Sequence, residues 1–159
     1  MIKLENFGFK INKLYLQDII ITNPLFSQLN DDDLNEITSK KHILDKPKKT
    51  TLFSKGEIAQ GVYVVTQGIA NQQYDENQTH TINLGNTIGI NVLVDENSKY
   101  DTTVVCESHC TLIFIPIHQM QKFVSNYSEF ENGVYISYFL HKIHFLEQYP
   151  RLVEVNLLA

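Results

Sequence analysis

Gly61-Val62-Tyr63-Val64-Val65-Thr66-Gln67-Gly68 is the stretch whose reading decides the fold. Branched and aromatic residues fit a pleated, half-buried surface, and a glycine at either end marks a turn, so Val62–Thr66 is read as a strand. Working outward, Thr102-Thr103-Val104-Val105 and Leu112-Ile113-Phe114-Ile115 have the same character, the second stopped by Pro116. Glycines at 56, 61, 68, 85 and 89 punctuate the whole region. Asp75-Glu76-Asn77 and Asp95-Glu96-Asn97-Ser98 have the composition of polar hairpin tips. Short strands at regular spacing with turns between them predict a barrel or jelly roll over residues 42–117.

On both sides the pattern turns helical. In residues 10–41, Leu14, Ile19 and Ile20 recur at a helical period until Asn23-Pro24 breaks it. Asn30 to Asp33 offers an N-cap and first-turn acids for a helix carrying Leu34 and Ile37. From Phe130 to Tyr149 there is no proline. Ile136, Phe139, Leu140, Ile143 and Leu146 follow one stripe there, and Tyr135, Tyr138, Phe145 and Tyr149 a second. A helix packed on one barrel needs a single apolar stripe, so two predict a further partner. The expected fold is therefore mainly β with flanking helices. Its parts are an N-terminal helical segment at 1–41, a β-barrel at 42–117, and a C-terminal helical segment at 118–159, all in one structural domain.

Composition excludes several functions. Hydrophobic residues are 43% and charged residues 19% of 159, which suits a folded chain rather than a disordered one. The 13 Lys+Arg against 18 Asp+Glu leave a charge of -5, the wrong sign for a free-standing nucleic-acid binder. Lys40, Lys41, Lys46, Lys48 and Lys49 form a local cluster, read as a solvated surface. Among the basic residues, Arg151 alone is an arginine, so a bidentate anion clamp elsewhere lacks its usual residue. No apolar run approaches a membrane span, and charges within Met1–Lys13 argue against a signal peptide, which makes cytoplasm the expected location.

Catalytic constellations are weak. Cys106 and Cys110, read on one strand with His109 pointing the other way, make a poor zinc signal, and one cysteine is expected in the core. His141 and His144, with Glu147 beyond, share a helical face and are read as a polar strip between the stripes; in a dimer they would lend pH sensitivity. A cupin-like metal enzyme needs paired histidines on barrel strands, and His42, His80 and His109 do not supply them. No nucleophile elbow, P-loop or H-E-x-x-H occurs. The expectation is no enzyme, no catalytic or metal-binding residue and no cofactor.

The order helices, glycine-punctuated barrel, long helix resembles the cyclic nucleotide-binding domain superfamily, most of all the sensor half of catabolite-activator (CRP/FNR)-type transcription regulators. Asn23-Pro24-Leu25-Phe26-Ser27-Gln28-Leu29 with Leu34 resembles the family's opening helix pair, and Phe53-Ser54-Lys55-Gly56-Glu57 its first turn. Gly61–Gly68 resembles its strand and turn, Leu84-Gly85-Asn86-Thr87-Ile88-Gly89 its approach to the ligand, and Ile113–Ile117 its last barrel strand. The resemblance covers roughly residues 20–148.

In that family a phosphate-binding cassette carries "FGE", whose Glu accepts from the ribose hydroxyl, and an Arg some ten residues later pairs with the cyclic phosphate. Here the first slot reads Ile88-Gly89-Ile90, and aligning Thr103-Val104 with the family strand puts Tyr100 where the Arg would lie, between Lys99 and Asp101. Losing two charge-assisted bonds of roughly 1.5–3 kcal/mol each weakens nucleotide binding by about two to four orders of magnitude. The resemblance thus implies a non-enzymatic sensor that does not bind cAMP or cGMP usefully. Its pocket would be lined by Ile88, Gly89, Ile90, Asn91, Val92, Tyr100, Thr102 and Thr103, for an unidentified small effector or none. It would work as a homodimer through Tyr135, Phe139, Ile143 and Leu146, with a hinge between Gln119 and Asn132. The alternatives are a genuine cyclic-nucleotide or other small-ligand module standing alone, and the cupin-like enzyme. The chain stops at Ala159, about where a winged helix-turn-helix would begin. DNA contact is expected only through such a domain, absent from this chain.

Overall fold

The computed structural model describes residues 13–75, 77–94 and 98–148, with the backbone alone for 144–148. Hairpin tip 95–97 and the chain beyond 148, Tyr149 and Arg151 included, lie outside the described residues.

Eight strands are found among the described residues: β1 (Ile43–Lys46), β2 (Thr51–Phe53), β3 (Gly61–Gln67), β4 (Ala70–Asp75), β5 (Gln78–Ile82), β6 (Thr87–Ile88), β7 (Thr103–Cys106) and β8 (Cys110–Pro116). They form two four-stranded antiparallel sheets, ordered β1-β8-β3-β6 and β2-β7-β4-β5. This is the expected jelly roll with flanking helices. Val62, Val64 and Val65 of β3 are fully buried, so the deciding strand is covered on both faces rather than half-exposed. Strand β7 starts one residue later than its sequence suggests, Thr102 forming a buried bend before it.

The helices occupy both ends of the chain. In α1 (13–20) the inward residues are Leu16 and Ile20, one turn apart, while Leu14 is exposed. That corrects the periodicity drawn through Leu14. A turn at Pro24 and a short 3-10 turn at Phe26–Gln28 lead into α2 (Asp31–Ile37). Asn30 caps α2 by accepting from the Asp33 N–H at 2.8 Å, and Asp31, Asp32 and Asp33 occupy its first turn, where carboxylates meet the positive end of the helix dipole.

Helix α3 (Ile117–Asn126) follows β8 without a linker, Pro116 serving as the last strand residue and the N-cap at once. Met120 and Phe123 anchor it in the core. Helix α4 (Phe130–Gln148) starts four residues later. Phe130 meets the edges of Phe26 and Phe123, with ring centroids 6.4 and 5.5 Å away, and joins the N-terminal turn to both C-terminal helices. Across the α3–α4 junction, the Tyr127 hydroxyl accepts from the Asn30 N–H at 3.0 Å and donates to Asp33 Oδ2 at 2.5 Å.

Cys106 and Cys110 do not share a strand. Cys106 ends β7 in one sheet and Cys110 opens β8 in the other, separated by a tight turn at Glu107-Ser108-His109. The turn is invisible to composition because the backbone of Ile69 holds it: the Ile69 N–H donates to Ser108 Oγ at 2.8 Å, and its carbonyl accepts from the Glu107 N–H at 2.9 Å. Both thiols are free and buried. Burial, with the neighbouring Cys110 thiol, pushes Cys106 up to about 12.

Candidate ligand site

Strand β6 is followed at once by Gly89, whose φ of +86° belongs to the left-handed region that glycine enters freely. The chain then makes a 3-10 turn, Ile90–Leu93, with Ile90, Asn91 and Val92 buried. Asn91 Nδ2 donates to the Lys99 carbonyl at 2.8 Å, closing the following loop onto this turn. Sequence alignment with a phosphate cassette therefore falls on an inward-facing, aliphatic turn.

Tyr100 is turned inward and only 4% exposed. Its ring stacks on Phe53, with centroids 3.6 Å apart and planes 12° from parallel. Its hydroxyl donates to the Gly61 carbonyl at 2.6 Å and accepts from the Gly61 N–H at 3.4 Å. The register explains this pairing. Gly61 lies opposite Pro116, and the neighbouring ladder bond runs from the Ile117 N–H to the Gln60 carbonyl. Alternation along an antiparallel ladder then points both Gly61 groups away from β8, and pairing with β6 begins only at Tyr63. Tyr100 supplies the missing partner. Burial raises its pKa, against the lowering effect of the backbone bonds.

Of the pocket residues expected from sequence, Ile88, Gly89, Ile90, Asn91, Val92, Tyr100 and Thr102 are all largely buried. Thr102 Oγ1 accepts from Gln72 Nε2 at 3.0 Å inside the barrel. Thr103 is turned elsewhere, its hydroxyl accepting from the Lys55 N–H at 2.9 Å. Sequence reasoning missed Phe53, Gln72 and Tyr74. Gln72 Oε1 is buried with no hydrogen-bond partner among the described residues. Burial first, then the nearby Asp101 carboxylate, pushes the Tyr74 hydroxyl upward. The alternation Ala70, Gln72, Tyr74 along β4 was the available signal.

Helix α4 packs against the 90–93 turn, and Ser137 Oγ lies 3.4 Å from Thr87 Oγ1 on β6. Its outer face is open: Tyr135 is 40% exposed, Ile136 59%, Phe139 53%, Leu140 59% and Ile143 51%. The side chains of His144, Phe145, Leu146 and Glu147 lie outside the described residues. His42 donates from Nδ1 to the Phe114 carbonyl at 2.9 Å, His80 lies on β5, and His109 sits on an exposed turn 3.7 Å from Asp45. No group of three or more His, Cys, Asp or Glu among the described residues could hold a metal ion, and no described helix is long and apolar enough to cross a membrane.

A barrel of this topology with a glycine-opened turn beneath its last helix defines a cyclic-nucleotide-binding type of module. The family model for the cyclic nucleotide-binding domain matches residues 44–127, more than half of the chain. The chain belongs to that family. Among solved structures, a putative cyclic nucleotide-binding protein from Geobacter metallireducens is 16% identical with a TM-score of 0.60, over 75% of this chain and 92% of that one. The sensor domain of the transcriptional regulator DNR from Pseudomonas aeruginosa is 15% identical with a TM-score of 0.66, over 80% and 86%. The regulatory domain of Toxoplasma gondii PKA with cAMP is 21% identical with a TM-score of 0.57, over 70% and 44%. At these identities the likeness is one of fold. No curated protein matches the sequence.

Proposed function

We propose that this domain is a non-enzymatic cytoplasmic sensor whose cassette does not read cAMP or cGMP, acting as the effector part of a CRP/FNR-type regulator. The observation that carries this reading is Tyr100. Where the family's cassette offers a cation to a phosphate, this chain places a buried phenol already committed to Gly61 and Phe53. Ile90 in the carboxylate slot is buried as well, and Asp101 beside Tyr100 opposes an anion. An incoming cyclic phosphate would lose its hydration and gain neither partner.

Signalling would run through the helices. The 90–93 turn and Thr87 touch α4, so a change in the pocket, or a partner on the helix, alters how α4 seats on the barrel. The junction at Tyr127–Glu129 is the hinge. Tyr135, Phe139 and Ile143 present an apolar seam to a second copy, and Leu146 extends it in the sequence; Phe139, Ile143 and Leu146 have the three-and-four spacing of such seams. Residues 42–117 sense and 118–159 transmit. The fold likeness to the DNR sensor domain supports the assignment to a regulator, with DNA bound by a separate domain.

Calorimetry with cAMP and with cGMP tests the cassette: no heat of binding is expected, and low-micromolar affinity for either overturns the reading. Sedimentation of the Phe139→Glu, Ile143→Glu double variant tests the seam. It is expected to be a folded monomer, and a persisting dimer removes the seam from the proposal.

A further inference from the structure

Away from the cassette, a groove of about 680 Å3 opens between α4, the turn at residues 22–28 and the β5–β6 turn. It lies outside the set of pocket residues that the family pattern picks out. Its floor is apolar, made by Leu25, Ile136 and Leu140. Gly133 lets the helix approach closely here, since a Cβ at that position would stand 3.0 Å from Leu25 Cδ1 and 3.3 Å from Gln28 Nε2.

Three side-chain carboxamides, Gln28, Asn83 and Asn86, come from three separate segments to line this one groove, and none of them has a hydrogen-bond partner among the described residues. Asn23, by contrast, is spent on the wall: its Oδ1 accepts from the Leu25 N–H at 3.0 Å and its Nδ2 donates to the Gly85 carbonyl at 3.2 Å. A free carboxamide offers two donors and an acceptor without charge. No lysine or arginine occurs among the described lining residues, while Glu129 contributes a carboxylate. His80 and His141 line the groove as well, both already engaged within the protein, so an anion would find no permanent counter-charge, and phosphates and carboxylic acids are disfavoured. The volume falls within the range of small-molecule sites, which combine an apolar body with a few polar groups that orient the ligand.

We propose that this groove binds a neutral small molecule bearing amide or hydroxyl groups along one edge of an apolar body. The carboxamides read the polar edge, and Leu25, Ile136 and Leu140 cover the body. Because the groove is walled by α4 on one side and by the barrel's β5–β6 turn on the other, occupancy ties the helix to the barrel. Binding there does not depend on the cassette.

The test uses N-acetyl-L-leucinamide, a neutral molecule with two amides and one apolar side chain, titrated into the 15N-labelled protein. The side-chain amide signals of Gln28, Asn83 and Asn86 are expected to shift saturably at millimolar probe, and acetate at equal concentration is expected to leave them unmoved. Asn83→Trp and Asn86→Trp, both at exposed positions, should each weaken the response by about tenfold or more with the remaining spectrum preserved. No saturable shift, an equal response to acetate, or full response in both variants overturns the proposal. Shifts centred on Gly89–Val92 would place binding in the cassette and overturn it too. Nucleotide binding there, seen by calorimetry, would contradict the proposed function without touching the groove.

Discussion

The Tyr100 hydroxyl bridges the N–H and the carbonyl of Gly61, 39 residues away, filling the place of a neighbouring strand at the open edge of β3. Two backbone groups inside the protein thus depend on one side-chain oxygen.

Tyr100→Phe keeps the stacking on Phe53 and removes that oxygen. Leaving buried backbone groups unpaired costs about 1–3 kcal/mol. For a chain of this length, thermal unfolding is expected to move down by roughly 3–10 °C. Calorimetric scans check it, and an unchanged midpoint would mean that water takes over the bond.

Gly89→Ala meets two obstacles. Its φ of +86° strains any residue with a side chain, at about 1–3 kcal/mol, and the new Cβ would lie 2.8 Å from Tyr100 Cε1. Gly56 is the control, with φ +91° and no atom within 4 Å of where a methyl would stand. Alanine at 89 should therefore destabilise more than alanine at 56 by denaturant titration. Combining Gly89→Ala with Tyr100→Ala should recover part of that excess in a double-mutant cycle.

Alkaline pH should unfold the protein through its buried acids. Cys106 is raised from 9.0 to about 12, and Tyr63, chiefly by burial, from 10.0 to about 12. Both folded values lie above the unfolded ones, so their contribution is fully present below pH 9 and is lost as pH climbs through about 12. Urea midpoints should fall across that window. Cys106→Val should make the early part of the fall shallower. Because both thiols are free and buried, iodoacetamide should leave both cysteines unmodified in the native protein and label both after unfolding.

Tyr127→Phe releases the junction of α3 and α4 from α2, since the lost hydroxyl serves both Asn30 and Asp33. The bond is partly exposed, so the stability cost should be modest, about 0.5–1.5 kcal/mol. Hydrogen exchange should quicken in residues 30–33 and 127–133 while the β3–β8 ladder keeps its protection. Uniform acceleration throughout would argue against a local latch.

Features carried by neighbours in the chain were legible in the sequence. Glycine boundaries located β3 to within a residue at each end, and the Asn30 cap followed from its three trailing aspartates. Features made by distant partners were not. Nothing near Tyr100 announces Gly61 or Phe53, and the turn between Cys106 and Cys110 contains neither glycine nor proline because Ile69 holds it. The groove escaped for the same reason: Gln28, Asn83 and Asn86 are ordinary loop polars until three segments bring them together.

Pro116 ends β8 and caps α3 with no residue to spare. One residue inserted there would turn α3 by about 100° about its axis. Met120 and Phe123 would swing out of the core, and every downstream turn of chain would start from the wrong azimuth. The junction therefore works as a keyed coupling: it admits substitutions but not insertions, and the orientation of everything after the barrel is set at that single proline.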